Sequence, residues 1–575
     1  MTIESNVAAR LVDDLEFLYG AELARTVCRR IEGMVAEYTI ERQPGLPAIE
    51  ELTERDALLI TYGNSLYGTG EPPLDTLRRF LLEHIGEAIN IIHLLPIFPY
   101  SSDDGFAVVD YYAVNPELGK WDNVRELADY YGLALDLVLN HCSRSHRWFQ
   151  DFIAGKDSAK NWFIEANPND PRLALVARPR STPLLTPVDV SGQGRRWIWT
   201  TFSPDQVDLN YHNPEVLLAM IAIMLFYVRQ GARVLRLDAV AYAWKTLGTS
   251  CINLPQVHAI VRILRVVADS AEPGVLLLTE TNVPMVENLS YLGQGDEAHL
   301  VYQFSLPPLL LYALWRENTA ILRNWLDALP EPPPGCTFLN FTASHDGVGL
   351  RPLEGLVDET ERDAMLDAMR TRGGFVTPRR LPDGREAPYE LNITYFSAFD
   401  AGDGEEAQLA RFLLSQTVMM SLRGVPAIYI HSLFATPNDL RGVEQTGQLR
   451  AINRRRWDWG ELSGLLVRSD SVAARCLKEM TRRLRVRSGL AQFHPQASQY
   501  VLELPGAVLG IVRESKDGER LLCLFNFTGA PQSVPLSMLP CVSDAHADLL
   551  ADDGVRLVGG GLELAPWGAA WLPAV

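Results

Sequence analysis

Residues 234–238 read Val-Leu-Arg-Leu-Asp, an apolar stretch of strand length that ends on a carboxylate. Helix-length segments separate many such runs, and one of them, 122–131, opens on Asp122 as a capping residue and stops before Gly132. Eight candidate strands that alternate with helices predict an α/β fold, a (β/α)8 TIM barrel. The other seven runs lie at 58–62, 91–95, 133–139, 275–278, 301–304, 337–342 and 426–430.

The chain outside these strands divides into further parts. Residues 1–52 carry apolar positions at helical spacing and end in the breaker Pro44-Gly-Leu-Pro47, which predicts an N-terminal helical extension. The barrel, at 53–490, is longer than the ~250 residues of a plain one, so it must hold insertions. We place them at about 142–230 and 347–424, on loops at one end of the barrel. Residues 491–575 predict a C-terminal all-β domain with strands at 501–504, 507–513, 520–527, 532–536 and 562–572.

The composition excludes several classes of partner. The 575 residues include 52 Lys and Arg against 71 Asp and Glu, a net charge of −19 that disfavours nucleic acid. The longest apolar run, 216–228, has 13 residues, fewer than the ~20 that span a bilayer, so we expect no membrane partner. It follows Asn213-Pro-Glu215, a helix start, and predicts a buried helix.

The cysteines and the N-terminus indicate a compartment. Seven scattered cysteines without a Cys-x-x-Cys pair predict reduced, mostly buried thiols and no zinc site. The first residues have neither a basic nor an apolar segment of the kind that a signal peptide needs. These features predict a cytoplasmic protein. They leave the oligomeric state open: the N-terminal helices could cover a partner, giving a homodimer, or the barrel floor.

Four segments carry polar groups where a buried strand should pass into a loop. They are Asp136-Leu-Val-Leu-Asn-His141, Arg236-Leu-Asp238, Leu278-Thr-Glu280 and Ser344-His-Asp346. The carboxyl ends of parallel barrel strands converge on one mouth, so these groups should meet in space. Ordinary structural ion pairs at strand ends are the alternative, but four such segments in barrel order favour a catalytic site.

The carboxylates at this mouth differ in their predicted surroundings. Arg236 and Asp238 are two residues apart on a strand and both face the lumen, so the guanidinium should keep Asp238 ionised. Glu280 follows Leu276-Leu-Leu278, an apolar setting that should raise its pKa toward that of a general acid. One ionised and one protonated carboxyl group are the pair that retaining glycoside chemistry requires.

The four segments together resemble those of glycoside hydrolase family 13, the α-amylase family. Further stretches resemble its sucrose-phosphorylase-like subfamily, from about residue 56 to nearly the end of the chain. These stretches are Asp103-Asp-Gly-Phe106, Arg236-Leu-Asp-Ala-Val-Ala-Tyr242, Gly248-Thr-Ser-Cys251 and Arg450-Ala-Ile-Asn-Arg454.

The resemblance implies roles for individual residues. It implies that Asp238 is the nucleophile, Glu280 the acid/base and Asp346 the carboxylate that grips and distorts the sugar. It implies that Phe106 and Tyr242 form an apolar floor. The residues implied to hydrogen-bond the glucosyl hydroxyls are Asp103, His141, Arg236, His345 and Arg450. The resemblance implies neither a cofactor nor a metal ion.

The implied substrates are a sugar and inorganic phosphate. Arg178-Pro-Arg180 in the first insertion is a candidate phosphate fork, and the position of Arg180 is similar to that of a phosphate-contacting arginine in the subfamily. Arg178, Arg180 and Arg351 are all candidates for the carboxylate of an anionic acceptor, and the sequence does not divide their roles.

The expected reaction is transfer of the glucosyl unit of 2-O-α-glucosylglycerate to phosphate, giving α-glucose 1-phosphate and glycerate. Thr281-Asn282 stands where sucrose phosphorylases commonly carry Val-His, which argues against fructose as acceptor. The alternatives are sucrose, sucrose 6-phosphate or glucosylglycerol as donor, a retaining α-glucosidase, and a catalytically silent barrel that acts as a binding subunit. The intact carboxylates speak against the last.

Overall fold

The structure is a computed structural model that describes residues 5–41, 51–381, 385–540, 548–550 and 554–574. Its centre is a closed barrel of eight parallel strands in which each strand pairs with its neighbour in the chain and the last pairs with the first. All eight predicted strands and the α/β barrel are confirmed. The strands, in chain order, are β1 Leu58–Thr61, β2 Ile91–Leu94, β3 Gly132–Val138, β4 Ala232–Asp238, β5 Leu276–Thr279, β6 Leu300–Tyr302, β7 Thr337–Phe341 and β8 Val425–Tyr429.

The barrel strands are apolar runs because both of their faces are buried. One face packs inside the barrel and the other packs against the surrounding helices. The predicted helix after Asn213 is confirmed: the Asn213 side chain accepts a hydrogen bond from the amide of Glu215 at its start. The longer helices that follow the strands are Pro73–Phe80, Trp121–Ala128, Pro214–Arg229, Pro255–Ala271, Leu306–Arg316, Ala320–Asp327, Glu405–Ser421 and Val472–Ser488.

Two excursions lie at the carboxyl ends of β3 and β7, where the insertions were predicted. The first holds the helix Arg147–Ile153 and an antiparallel hairpin of Leu185–Val190 with Gly194–Trp199. The second holds the helix Glu359–Thr371 and a hairpin of Phe375–Arg380 with Glu386–Asn392. The predicted ranges extend too far, because each includes the next barrel helix at its end, Pro214–Arg229 or Glu405–Ser421.

The predicted N-terminal helices are present as α1 Ser5–Tyr19 and α2 Ala21–Glu41. They pack on the outside of the barrel, against the helices Pro214–Arg229 and Pro255–Ala271. Arg262 on the second of these helices pairs with Asp14 at 2.6 Å. The helices therefore cover a side of the barrel, and the predicted breaker at 44–47 lies outside the described residues.

The C-terminal region is all-β, as predicted, and forms two antiparallel sheets. One prediction is wrong: the run 562–572 is two strands, Gly561–Leu564 and Ala569–Ala574, which lie in different sheets. Trp567, in the turn between them, has a left-handed backbone with φ of 53°. The strand Val555–Val558 was not predicted; the other strands are Ser498–Leu502, Val508–Glu514, Arg520–Asn526 and Gln532–Pro535. The domain boundaries at 52/53 and 490/491 stay predictions.

Six cysteines in the described part of the chain are free and buried, as the sequence predicted for its thiols. None of the helices that the structure describes is long and apolar enough to span a membrane.

Candidate active site

A cavity opens at the carboxyl ends of the barrel strands, and ten of the twelve predicted site residues line it. Tyr242 and Arg178 are the two that do not; they line a second cavity beside it. The ten are Asp103, Phe106, His141, Arg180, Arg236, Asp238, Glu280, His345, Asp346 and Arg450. The convergence expected from the strand ends therefore holds, and we call this space the catalytic cavity.

Strand register brings the charged groups of β3 and β4 together. Asp136 lies opposite Arg236, and Val138 lies opposite Asp238. Arg236 Nη1 donates to Asp136 Oδ1 at 2.5 Å and to Asp238 Oδ1 at 2.8 Å. His93 of β2 lies 2.8 Å from the other Asp136 oxygen. A chain of polar contacts thus runs through the barrel lumen and ends on Asp238.

Arg236 does not keep the pKa of Asp238 low, as the sequence had predicted. Burial raises the pKa of Asp238 to about 7, because the loss of solvation outweighs the guanidinium. Arg236 also pairs with Asp136, so one positive charge must balance two buried carboxylates.

Glu280 lies one residue beyond the end of β5 and is held from β4. Its Oε2 accepts a hydrogen bond of 3.0 Å from the amide of Ala239, the residue after Asp238. Ala239 has a left-handed backbone with φ of 49°, which costs strain in a non-glycine residue. Burial raises the pKa of Glu280 to about 7, helped by the charge of Asp238, so the predicted rise is confirmed.

The raised pKa of Glu280 predicts a stability change in Glu280→Gln. Because the folded-state pKa lies above the ordinary value near 4.5, ionisation of Glu280 between pH 4.5 and about 7 destabilises the folded state. Glutamine cannot ionise and its carbonyl can still accept from Ala239. We expect the free energy of unfolding of the variant to exceed that of the wild type by about 1–3 kcal/mol at pH 8, which raises its melting temperature. At pH 4 the two proteins should melt at the same temperature.

Differential scanning calorimetry at the two pH values measures this effect. Glu16→Gln, the same change at an exposed position of the helix Ser5–Tyr19, serves as the control and should melt like the wild type at both. Equal melting of Glu280→Gln and the wild type at pH 8 would contradict a strained, ionised Glu280.

Asp346 has the opposite electrostatics. Burial alone would raise the pKa of Asp346, but the guanidinium groups of Arg450 and Arg454 outweigh it and hold the pKa well below its usual range. Arg450 Nη1 lies 2.5 Å from Asp346 Oδ1. Asp346 is therefore ionised at every pH at which the protein would act.

Glu390 is a cavity residue that the sequence interpretation missed. It comes from the hairpin of the second insertion and binds Arg450 with both oxygens, at 2.9 and 2.6 Å. Glu390 Oε2 also lies 3.8 Å from Arg180 Nη1. Nothing in the local sequence Tyr389-Glu-Leu-Asn392 marks it, because its partners are far away in the chain.

The segment Asp103-Asp-Gly-Phe106 turns sharply at the cavity wall. Asp103 and Asp104 have φ of 53° and 47°, and Gly105 has φ of 118°. A Cβ on Gly105 would lie 2.9 Å from the carbonyl oxygen of Pro96, so only glycine fits. The turn presents Asp103 to the catalytic cavity and leaves Asp104 paired with Arg454 at 2.6 Å.

Aromatic rings form one wall of the catalytic cavity. Phe106 stacks on His345 with ring centroids 5.0 Å apart and planes 11° apart. Burial lowers the pKa of His345 and of His141, so both imidazoles are neutral. Tyr242, predicted beside Phe106, instead contacts Phe202 edge-on at 5.4 Å and faces the second cavity.

The two arginines of the predicted fork point to different cavities. Arg180 lines the catalytic cavity and lies over the ring of Tyr389 at 5.6 Å. Arg178 lines the second cavity and donates to the carbonyl oxygen of Thr182. The fork is therefore split. The backbone at 178–180 is irregular and bent, and only a regular strand would place side chains two residues apart on the same side.

Comparisons with known proteins show which family the chain belongs to. A family model described as the α-amylase catalytic domain matches residues 82–324, and one described as the C-terminal immunoglobulin-like domain of D-apionate lactonase matches 505–572. The chain is 43% identical to a glucosylglycerate phosphorylase of Spirochaeta thermophila, over 96% of this chain and 94% of the relative. The chain belongs to the α-amylase family.

Further relatives and one solved structure are also similar to this chain. A glucosylglycerate phosphorylase of Allomeiothermus silvanus is 44% identical over 91% of this chain and 93% of its own. The crystal structure of a sucrose 6F-phosphate phosphorylase from Thermoanaerobacter thermosaccharolyticum superposes with a TM-score of 0.72 and 24% identity, covering 82% of this chain and 94% of that one. Glucosylglycerol and sucrose phosphorylases match at 30% identity, over 64% and 70% of this chain.

Proposed function

We propose that this chain is a retaining glycoside phosphorylase that converts 2-O-α-glucosylglycerate and phosphate into α-glucose 1-phosphate and glycerate. The observation that carries the proposal is one cavity lined by Asp238, Glu280 and Asp346, in which Asp346 is held ionised and the other two have a pKa of about 7, with Arg180 in the same lining. The near full-length similarity to glucosylglycerate phosphorylases supports the choice of acceptor.

In the first step, a carboxylate oxygen of Asp238 attacks the anomeric carbon of the glucosyl unit. The bond from that carbon to the glycerate oxygen breaks, and Glu280 gives its proton to the leaving oxygen. The hydrogen bond from Ala239 holds Glu280 beside Asp238, and the pKa of about 7 keeps a usable proton on Glu280 near neutral pH. The product is a glucosyl ester of Asp238, with inverted configuration.

In the second step, an oxygen of phosphate attacks the same carbon, and the ester bond to Asp238 breaks. Glu280, now ionised, takes the proton from the phosphate. The second inversion restores the α configuration. Ionised Asp346, fixed by Arg450, stabilises the positive charge that the sugar ring develops in both steps.

Phosphate must enter a cavity rich in carboxylates, so a local cation is needed. Among the residues that the structure describes, Arg180 is the arginine of the catalytic cavity without a partner at short distance: its Nη1 lies 3.8 Å from Glu390 Oε2. We therefore propose Arg180 as the phosphate ligand, through charge-assisted hydrogen bonds.

The reverse reaction tests the function. Supply α-glucose 1-phosphate with glycerate, fructose, fructose 6-phosphate, glycerol or water in turn, and measure phosphate release. We expect release with glycerate to exceed release with water and with each other acceptor at least about tenfold. Release in water alone that equals the best acceptor would identify a hydrolase, and a preference for a fructose would identify one of the alternative phosphorylases.

We further propose a cytoplasmic location. The six described cysteines are free and buried, an arrangement that suits a reducing compartment.

A further inference from the structure

The second cavity lies beside the catalytic cavity, and Tyr389 lines both. We call it the arginine cavity, because Arg178, Arg351 and Arg379 line it. Tyr242 and apolar residues of the segment 173–179 complete its walls. The reaction steps described above use none of its three arginines.

The two cavities differ in charge. The catalytic cavity is lined by five carboxylates and three arginines, so it favours a neutral sugar that becomes positive in the transition state. Among its described lining residues, the arginine cavity has three arginines and no carboxylate. A donor with a neutral glucosyl unit and an anionic aglycone fits this pair of cavities, with the glucosyl unit in the catalytic cavity and the anion in the arginine cavity. The five carboxylates are Asp103, Asp238, Glu280, Asp346 and Glu390.

Of the three arginines of this cavity, Arg351 is the best candidate to bind an anion. Arg379 already pairs with Glu354 at 2.7 Å, and Arg178 donates to Thr182. Within the described residues, Arg351 makes neither an ion pair nor a hydrogen bond, and its Nε is buried without a partner. A partly buried guanidinium without a counter-ion is costly unless an anion joins it.

The arginine cavity adjoins the cavity of the general acid through a shared wall. Glu280 and Tyr389 line the catalytic cavity, and Tyr389 also lines the arginine cavity, together with Tyr242 and Arg351. An aglycone whose oxygen takes the proton of Glu280 can therefore extend past Tyr389 toward Arg351.

We infer that the arginine cavity binds the carboxylate of the acceptor, with Arg351 as its main cation, while Arg180 in the catalytic cavity binds phosphate. This inference rests on the proposed function and assigns the two anions of the reaction to separate arginines. It also explains why the fork at 178–180 is split between the cavities.

Steady-state kinetics of Arg351→Gln in the synthetic direction test the inference. We expect the KM for glycerate to rise about 10- to 100-fold, the effect of one lost charge-assisted contact. The KM for α-glucose 1-phosphate and the slow rate with glycerol, a neutral acceptor, should stay within about twofold, because neither uses the carboxylate site. Arg351→Lys keeps the charge and should recover part of the affinity for glycerate.

Two further variants complete the design. Arg370→Gln, on an exposed helix face, should leave every constant unchanged and controls for the loss of one positive charge. Arg180→Gln should raise the KM for phosphate in the phosphorolytic direction and spare that for glycerate. Melting curves establish that each variant is folded.

Three outcomes would overturn the inference. An unchanged KM for glycerate in folded Arg351→Gln, or equal losses with glycerate and glycerol, would remove Arg351 from carboxylate recognition. A rise in the KM for phosphate without one for glycerate would make the arginine cavity the phosphate site. The proposed function fails differently, since the wild type itself would then release no more phosphate with glycerate than with water.

Discussion

Asp238→Asn is expected to lower kcat for glucosyl transfer at least about 10⁴-fold in both directions. An amide oxygen is too weak a nucleophile to form the glucosyl ester, so both half-reactions lose their shared intermediate. The fold should survive, because Arg236 keeps its contact with Asp136 at 2.5 Å. Phosphate release from α-glucose 1-phosphate with glycerate measures the loss, and Asp122→Asn on an exposed helix is the matched control.

A second variant, Asp238→Ala, tests directly whether Asp238 is the nucleophile. It opens space for azide, which can attack the anomeric carbon of α-glucosyl fluoride from the face that Asp238 vacates. We expect β-glucosyl azide, the product of one inversion, with release of fluoride. Retained activity of Asp238→Asn, or an azide product of α configuration, would show that Asp238 is not the nucleophile.

The barrel could be predicted from the sequence because a parallel strand is covered on both faces. Its residues are apolar on each side, so runs such as 234–237 stand out without any periodicity. The same rule gave a wrong prediction for the C-terminal run 562–572, which it assigned to one strand. Its two halves are separate strands joined by the turn Ala565-Pro-Trp-Gly568, in which Trp567 has a left-handed backbone. Pro566 and Gly568 are the signal that could have divided the run.

The site divides in the same way. Residues at strand ends, such as Asp238 and Glu280, were placed correctly because the barrel itself brings the ends together. Glu390 and the opposite directions of Arg178 and Arg180 depend on how two long insertions fold over the mouth, and no local pattern records that. The pKa of Asp238 was misjudged because Arg236 has a second partner, Asp136, which is 100 residues away.

Glu280→Gln is expected to lower kcat/KM for glucosylglycerate about 10²- to 10⁴-fold, because the leaving oxygen no longer receives a proton. The loss should shrink to less than about tenfold for formation of the glucosyl ester from α-glucosyl fluoride, whose leaving group needs little protonation. A uniform loss with both donors would contradict the role of Glu280 as the acid, and would indicate a structural role instead.

The pH profile separates the two carboxylates in the same experiment. The attacking carboxylate must be ionised and the acid protonated, so kcat/KM should fall on both sides of a maximum near the shared pKa of about 7. In Glu280→Gln, kcat/KM should no longer fall at alkaline pH, because the titrating acid is gone. It should still fall at acid pH, because Asp238 still titrates. The acid limb should stay close to its wild-type position, because Glu280 is still protonated and neutral when Asp238 ionises, and Gln is neutral as well. An alkaline limb that persists in Glu280→Gln would assign the acid to another residue.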